Sequence, residues 1–460
     1  MTMWASETQR SQTRLGTSSA ATASSLEGLG TAWCVVLILL SIVWPRYGFF
    51  ALGGALKATP FTFLALATWP ICAILCLQST FARRVIGAFS ASPWLSAFFI
   101  AWLGWRTFTA AVGEQPDMSL QVVGRDILYL VPVWVLIVGV ASRPAGLSAL
   151  VGTIVVATAL VELIAFAELT TGKSFAQLIG VQFAGNQAFV LGASEVQFRG
   201  GVARLKSTFT HPIVFGQYLT FAAPIVAWSA WRHRGVLRLV AIPALLFLPI
   251  IAWNTGSRAG LLGVGIAMAF FVALVTLKAA RRPTHASVLA LVAVGVLTLA
   301  AAGPLHSQAV SIIGGRTAVE ASSSLYRSAM YDKGMNAIQE SPVTGFGDGR
   351  SPHHAGFYGK NKVLTIDSAY LSYLLDSGWV GLLLVIGAWG LLVVSLVRSA
   401  LRIDTGSETA ALAAGVASVM VVFSILSISD NVSLIFIALG VAMALRFQYL
   451  TRSASHPQPS

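Results

Sequence analysis

Charged residues are scarce in this chain. Asp, Glu, Lys and Arg make up 10% of its 460 residues, whereas hydrophobic residues make up 56%. Soluble domains carry roughly 25% charged and about 45–50% apolar residues, so a soluble fold of this composition would lack the polar side chains to cover its surface. The composition therefore excludes an ordinary soluble protein and predicts a polytopic membrane protein.

Cysteine is rarer still. The three cysteines are Cys34, Cys72 and Cys76, and all lie inside apolar segments. Cys72 and Cys76 would share a helix face, but no histidine or acidic residue lies at helical spacing from them, as a metal site would need. We expect all three to be packing residues, and we predict no disulfide, no metal site and no cofactor.

Acidic residues are the less common of the two signs. The chain has 17 Asp and Glu against 30 Lys and Arg, a formal net charge of +13. An excess of positive charge of this size could indicate a protein that binds nucleic acid. The basic residues, however, cluster in short connections between alternate apolar segments, which is the pattern of the positive-inside rule. Membrane topology therefore explains the charge, and nucleic acid is not expected as a partner.

Long apolar segments dominate what is present. About 20 apolar residues cross a bilayer as a helix. Twelve segments qualify, so the predicted fold is all-α, a polytopic transmembrane helical bundle of about 12 spans. The segments are 32–52, 59–78, 93–112, 123–141, 147–168, 209–231, 238–254, 258–277, 287–303, 366–396, 410–428 and 431–449.

Placing the basic connections in the cytoplasm divides the chain into tails, helices and loops. No small-residue cleavage site follows the first apolar run, so we interpret the N-terminal tail as retained. Both termini are then cytoplasmic. The predicted divisions are a cytosolic tail at 1–31, transmembrane helices 1–9 at 32–303 with an outward loop at 169–208, a large periplasmic loop between spans 9 and 10 at 304–365, transmembrane helices 10–12 at 366–449 and a second cytosolic tail at 450–460.

Residues 304–381 form one long polar passage. It holds His306, His353 and His354 among six basic and six acidic residues. Because one charge at the bilayer centre costs about 2.5 kcal/mol or more, this passage must lie mostly outside the hydrocarbon. Chemistry is therefore expected here first.

A helix is predicted inside the polar passage, over 322–341. Ser322–Ser324 are its N-cap candidates, and Pro342 would end it. Arg327 and Tyr331 would share one face of this helix. The sequence GFGDG that follows opens no helix and follows no strand, so it indicates a loop turn and not a dinucleotide site.

Three helices would begin at the outward face in similar polar sequences, and an arginine accompanies two of them. RLKSTFTHP (204–212) and NTGSRAG (254–260) each precede or open a helix, as does TIDSAY (365–370). Free N–H groups and the positive dipole end at such positions suit phosphate. Arg204 and Arg258 add guanidinium groups that can form two parallel hydrogen bonds to it. The alternative is that both are ordinary interfacial arginines.

These segments together resemble the O-antigen ligase and polymerase superfamily, polytopic membrane glycosyltransferases that act on lipid-diphosphate-linked glycans. The matching segments are RLKSTFTHPIVFGQYL (204–219), NTGSRAGLLG (254–263), LYRSAMYDKGMNAIQESPVTGFGDG (325–349) and DSAYLSYLLDSGWVGLL (367–383). The resemblance covers about 200–385. The chain departs from the family pattern at Pro212-Ile213, where many members have Pro-Asn.

The resemblance implies glycosyl transfer without a nucleotide sugar. An acceptor hydroxyl attacks an anomeric carbon while polyprenyl diphosphate leaves, which requires a base and cations. In the family, the arginines matching Arg204 and Arg258 are implicated with the lipid diphosphate. We add Arg327 and His211 as substrate-binding candidates. His211 could instead cap the helix that follows it.

The base is a separate question, because ligases usually have His-Asn where this chain has Asp367-Ser368. That difference weakens a ligase assignment. Asp367 is our first candidate for the base, with an N-cap role as its alternative. His353 and His354 are the other catalytic candidates, with a solvated loop position as theirs.

Arg106 and Glu162 are charged residues in the outer halves of their predicted spans. Charges within a membrane are functional candidates by default. The alternative is a structural ion pair between the two.

The sequence therefore predicts a polysaccharide polymerase of the bacterial inner membrane, joining polyprenyl-diphosphate-linked oligosaccharide units at the periplasmic face to make exopolysaccharide or O-antigen. One alternative is an O-antigen ligase that transfers glycan to lipid A core. Another, of a different class, is a lipid-linked glycan flippase. The expected partners are the lipid-linked oligosaccharide and membrane lipid, with a flippase and chain-length or export proteins as further candidates.

Overall fold

The structure, a computed structural model, describes most of the chain. The described residues are 26–45, 48, 50–51, 57–179, 194–199, 201–279, 318–358, 364–402, 407–423 and 432–455. The span predicted at 287–303, His306 and most of the predicted N-terminal tail lie outside them.

Within the described residues the fold is mostly helical, with three short antiparallel hairpins. The helices are α1 Leu26–Val43, α2 Pro60–Cys76, α3 Ser79–Ala91, α4 Pro93–Val112, α5 Pro116–Ala141, α6 Pro144–Thr171, α7 Phe175–Ile179, α8 Pro212–Arg232, α9 Val236–Asn254, α10 Arg258–Ala279, α11 Ala318–Ala337, α12 Ser351–Ala355, α13 Ala369–Leu401, α14 Glu408–Val422 and α15 Val432–Ser455. The hairpins pair β1 Phe50–Ala51 with β2 Lys57–Ala58, β3 Gln197–Arg199 with β4 Val202–Arg204, and β5 Phe357–Tyr358 with β6 Leu364–Thr365.

Nine of the described helices are long and apolar enough to cross a membrane: α1, α4, α5, α6, α8, α9, α10, α13 and α15. Six described helices, α2, α4, α5, α6, α8 and α12, have a proline in the first turn, where its missing N–H costs nothing. The membrane character predicted from the sequence is confirmed. The predicted number of about 12 spans is not, because α14 is a short apolar helix and 287–303 is not described.

The span predicted at 59–78 is followed by another helix and not by a loop. Helix α2 stops at Cys76, and α3 turns away from it by 107°. Arg83 and Arg84 lie between the predicted spans 59–78 and 93–112, where a connection was expected, and they are helical. Arg84 and Arg143 both form ion pairs with Glu27, the latter at 3.1 Å, which ties α3 to the start of α1 and the α5–α6 connection.

Helices α8, α10 and α13 begin at the side of the bundle where α6, α9 and α14 finish, so the bundle has two ends. We call one the basic end, since it carries Arg143, Arg232, Arg234 and Arg402 in the connections or last turns of helices. The other is the loop end, formed by the connections 113–115, 205–211 and 255–257 and by 342–358. The candidate site residues lie at the loop end.

Helix α8 is the centre of the bundle, since 94% of the residues in its most apolar 18-residue stretch are buried. It packs against α6, α9, α10 and α14. The close contacts use glycine: a Cβ on Gly260 would lie 2.7 Å from Gly216 Cα, and one on Gly415 would lie 2.4 Å from Phe221 O. Small residues let membrane helices approach in this way, and here they hold the helices whose ends form the site.

Helix α13 is broken at Gly378, whose φ is 69°. The break frees backbone groups, and the segment before α12 satisfies them: Phe346 N donates to Leu375 O at 2.8 Å and Gly347 N to Asp376 O at 3.0 Å. A Cβ on Gly378 would lie 2.0 Å from Val343 O. The predicted loop turn at GFGDG is thus confirmed, and it fills a gap in a membrane helix.

The helix predicted at 322–341 also begins elsewhere. Helix α11 starts at Ala318, so Ser322–Ser324 lie inside it and the predicted N-cap is wrong. Its regular part ends at Ala337 and is followed by a 3-10 turn at Ile338–Glu340, consistent with the predicted stop at Pro342.

Candidate functional site

Arg204 lies at the end of β4, against the turn between α9 and α10. Its Nε donates to the carbonyl of Thr255 at 2.8 Å. Gly256, with φ 60°, lies under the side chain, and a Cβ there would be 3.0 Å from Arg204 Nε. Arg258, two residues later, is the first residue of α10. The structure thus brings together the two motifs that carry the predicted phosphate ligands.

The N-terminus of α10 is capped from within the same turn. Ser257 Oγ accepts from Gly260 N at 3.1 Å, and Thr255 Oγ1 accepts from Ser257 N at 3.1 Å. Two N–H groups are therefore already bonded. An anion at this turn would depend more on the arginines than on free backbone donors.

His211 is the N-cap of α8. Its Nδ1 accepts from Ile213 N at 3.1 Å, so the capping role is confirmed. Burial lowers the pKa of His211 to about 3, with further contributions from the charges of Arg204 and Lys206. The ring is therefore neutral near pH 7, and because Nδ1 accepts, Nε2 carries the proton and can donate.

The connection from Arg204 to His211 is buried and tightly held. Glu168, near the end of α6, accepts from the backbone N–H of Lys206 at 3.1 Å and of Ser207 at 2.7 Å. Lys206 is 1% exposed, and its Nζ donates to the carbonyl of Glu195 at 2.6 Å. Burial lowers the pKa of Lys206 to about 8, although nearby Glu168 and Glu195 oppose the shift.

Neither Glu168 nor Lys206 was predicted as a site residue. Lys206 stood within a quoted motif, but nothing in the sequence marked it as buried. Glu168 could have been suspected as a rare acid near the outward end of a span. Their contacts fix the position of Arg204 and His211 relative to α6.

Asp367 and Ser368 precede α13. Ser368 Oγ accepts from Leu371 N at 3.2 Å, so Ser368 is the N-cap and the alternative that Asp367 caps this helix is wrong. Asp367 is half-buried, and its N–H donates to Met330 Sδ at 3.2 Å. Arg327 lies in α11 one turn before Tyr331, whose hydroxyl donates to Ser368 Oγ at 2.8 Å.

The C-terminal end of α14 connects the start of α13 to α10. Ala369 N donates to Phe423 O at 3.3 Å. Val422 packs against Gly263 of α10, where a Cβ would lie 2.7 Å from the valine side chain. Helices α10 and α13 also contact each other. Arg258 and Asp367 therefore head neighbouring helices at the loop end.

Arg106 does not pair with Glu162, so that sequence-based alternative is wrong. Arg106 binds Asp348 through two hydrogen bonds and Asp126 through a third at 3.1 Å. Glu162 is 4% exposed, and neither carboxylate oxygen has a hydrogen-bond partner among the described residues. No local pattern indicates that Asp348, 242 positions away, reaches Arg106.

His353 and His354 both lie in α12. His353 is exposed. His354 stacks on Phe346, with ring centroids 3.6 Å apart and planes 9° apart, and its Nε2 lies 3.1 Å from Glu114 Oε2 in the α4–α5 connection. His354 is thus held toward α4 and α5. Asp367, by contrast, lies between α11 and the end of α14.

Glu114 is another residue that the sequence analysis did not consider. Burial opposes its charge, but hydrogen bonds from His354 and Arg350 hold the pKa of the Glu114 carboxyl below its usual value. Its backbone N–H also donates to Phe346 O at 2.9 Å. The α4–α5 connection is therefore joined to the GFGDG turn by main chain and to Arg350 and His354, which follow that turn, by side chain.

Residues 243–386 match a family model described as O-antigen ligase. This match confirms the resemblance to the O-antigen ligase and polymerase superfamily. It includes Arg258, Arg327, His353, His354 and Asp367, whereas Arg204 and His211 precede it. No curated protein matches the chain.

Proposed function

We propose, on the basis of the O-antigen ligase match, that this chain is a membrane glycosyltransferase that uses a polyprenyl-diphosphate-linked glycan as donor. More specifically, we propose a polysaccharide polymerase acting at the periplasmic face of the bacterial inner membrane. The observation that carries the proposal is the hydrogen bond of Arg204 to Thr255, in the turn that leads to Arg258. It supports a diphosphate site built from two distant motifs of the family.

In this reaction the acceptor hydroxyl oxygen forms a bond to the anomeric carbon, and the bond from that carbon to the diphosphate oxygen breaks. Polyprenyl diphosphate leaves with the electron pair, and the hydroxyl proton passes to a base. Arg204 and Arg258 would bind the diphosphate and stabilise its developing charge. The Nε2–H of His211 and the guanidinium of Arg327 would add donors.

Asp367 is the base that we propose. It heads α13 next to α10, which begins with Arg258, and its cap function is already supplied by Ser368. His354 is the less favoured candidate, because Glu114 and Phe346 hold it on the other side of the loop end. His353, exposed in the same short helix, remains a further candidate.

The basic end of the bundle would face the cytoplasm, and the loop end would face the periplasm. The lipid tail of the donor would then lie in the outer leaflet beside the bundle, with its diphosphate at the level of Arg204. A flippase that delivers the donor, and proteins that set chain length or export the product, are the partners we propose.

Ligase activity is the second candidate, because the matching family model is described as O-antigen ligase. The two reactions share donor and leaving group and differ only in the acceptor. The match gives no support to a flippase.

The test uses purified protein in lipid vesicles, with the lipid-linked oligosaccharide extracted from a producing strain that lacks this chain. A polymerase yields a ladder of longer glycans on the lipid carrier, whereas a ligase yields glycan on added lipid A core. If the folded protein in vesicles forms neither product, the proposal is overturned.

Arg204→Lys and Arg258→Lys test the diphosphate site in the same assay. Lysine keeps the charge but loses the planar fork, and loss of one transition-state donor costs roughly 10²-fold in rate. Arg232→Lys, an exposed arginine at the basic end, is the matched control and should be fully active. Full activity of both test variants would exclude these arginines as the diphosphate ligands.

A further inference from the structure

We infer that Tyr331 is a positioning residue of the transferase site: through Ser368 it fixes the first turn of α13 and thereby the place of Asp367. This inference rests on the proposed function, in which Asp367 is the base. It concerns a residue that the sequence analysis noted only as a neighbour of Arg327.

The contacts between α11 and the start of α13 follow one register. Met330 Sδ accepts from Asp367 N at 3.2 Å, and Tyr331 donates to Ser368 Oγ at 2.8 Å, each pair being 37 residues apart. Gly334 meets Leu371 at the same offset, where a Cβ would lie 2.8 Å from the leucine side chain. Little more than one turn of α11 therefore lies alongside the residues that open α13.

Ser368 is the central contact of this register. It is fully buried, and its hydroxyl oxygen accepts from both Tyr331 and Leu371 N. A serine oxygen has two acceptor sites, so both bonds can form together. The Tyr331 hydroxyl thus orients the cap, and the cap fixes the backbone that carries Asp367.

Tyr331 reaches Ser368 from a position open to the loop end. It is 37% exposed, whereas Met330 beside it is 2% exposed. Packing alone does not account for a half-open tyrosine whose hydroxyl points at a buried cap. Because a base must lie within hydrogen-bond distance of the acceptor hydroxyl, a small movement of the first turn of α13 would lower the rate.

The close approach at Gly334 explains why this register is kept. A Cβ on Gly334 would also lie 3.2 Å from Ala355 Cβ, so α11, α12 and α13 meet at this glycine. Glycine in a helix interior is otherwise unfavourable by roughly 1 kcal/mol relative to alanine. Because Gly334 has no side chain, α11 can lie close enough to α13 for Tyr331 to come within hydrogen-bond distance of Ser368.

The decisive experiment measures kcat and KM for Tyr331→Phe with the extracted lipid-linked oligosaccharide in vesicles. Loss of one neutral hydrogen bond predicts a roughly three- to tenfold fall in kcat with KM unchanged, because donor binding belongs to the arginines. In an Asp367→Asn background the same substitution should cause no further fall, since Tyr331 acts through Asp367. Tyr358→Phe, which removes an exposed hydroxyl nearby, is the control and should be fully active.

Hydrogen exchange of the peptide covering 364–376 supplies a readout that does not depend on activity. Tyr331→Phe should accelerate exchange there, and Ser368→Thr, which keeps the acceptor oxygen, should preserve wild-type protection. Unchanged exchange, an unchanged kcat, or equal losses in both backgrounds would overturn the inference. A different outcome is that the wild-type protein transfers no glycan while Tyr331→Phe still exchanges faster than wild type. That result would overturn the proposed function and leave the positioning contact established.

Discussion

Arg106 and Asp348 form a buried, two-bonded ion pair across 242 residues of sequence. Arg106 Nε lies 3.0 Å from Asp348 Oδ1, and Nη2 lies 2.6 Å from Oδ2. Both side chains are 6% exposed. The pair anchors the GFGDG turn to α4, and Asp126 of α5 completes it at 3.1 Å. The loop that fills the break in α13 is therefore fixed by charge as well as by main-chain bonds.

Removing Asp348 should destabilise the protein strongly. Asp348→Ala leaves Arg106 buried with only Asp126, and breaking a buried ion pair typically costs about 3–5 kcal/mol. We expect a clear fall in the midpoint of thermal unfolding of the detergent-solubilised protein. Glu162→Gln is the matched control, because Glu162 is equally buried but has no described hydrogen-bond partner. Equal midpoints for the two variants would show that the Arg106 pair does not stabilise the loop.

Gly256→Ala should reduce transferase activity more than it reduces stability. The φ of 60° costs a non-glycine residue about 1–2 kcal/mol, and the added Cβ would press on Arg204 at 3.0 Å. Gly172→Ala carries similar backbone strain, with φ 66°, but its Cβ meets nothing within 4 Å. Both variants should unfold at somewhat lower temperature, and only Gly256→Ala should raise KM for the lipid-linked oligosaccharide. A normal KM for Gly256→Ala would mean that Arg204 does not bind the donor.

Much of the membrane fold followed from composition. Runs of about 20 apolar residues define spans regardless of their neighbours, which is why α4, α8 and α10 lie close to their predicted positions. Local signals also located the GFGDG turn and the cap at His211, because turn glycines and helix caps act within a few residues. Such interactions can be recognised without knowing the tertiary structure.

Other features depend on tertiary contacts and could not be predicted. The break at Gly378 is stable only because Pro342 O and the GFGDG amides satisfy its free groups. Arg106 has Asp348 as its partner through the docking of a distant loop, so the alternative of a pair with Glu162 was wrong. At the head of α13 two adjacent residues could cap, and only the structure shows that Ser368 does so.

Acidification should destabilise the protein through His211. Its pKa is lowered from 6.5 to about 3, first by burial and then by Arg204 and Lys206. Between these two pKa values the folded state therefore binds fewer protons than the unfolded state. The contribution of neutral His211 to the free energy of unfolding is fully present above pH 6.5 and is lost as the pH falls toward 3. His211→Asn keeps an oxygen that can cap α8 but does not titrate. Unfolding midpoints measured between pH 7.5 and 5 should fall less steeply for this variant, and equal slopes would contradict the assignment.

The last prediction separates catalysis from capping at the head of α13. Because Ser368 supplies the cap, Asp367→Asn removes a proton acceptor and leaves the cap in place, and loss of a general base costs about 10²- to 10⁴-fold in rate. Ser368→Ala should instead lower stability by about 0.5–2 kcal/mol, the usual cost of losing an N-cap. We expect Asp367→Asn to be normally folded, with near-normal KM and almost no glycan product in vesicles. If Asp367→Asn is active, Asp367 is not the base, and His354→Gln, compared with Glu114→Gln, becomes the next test.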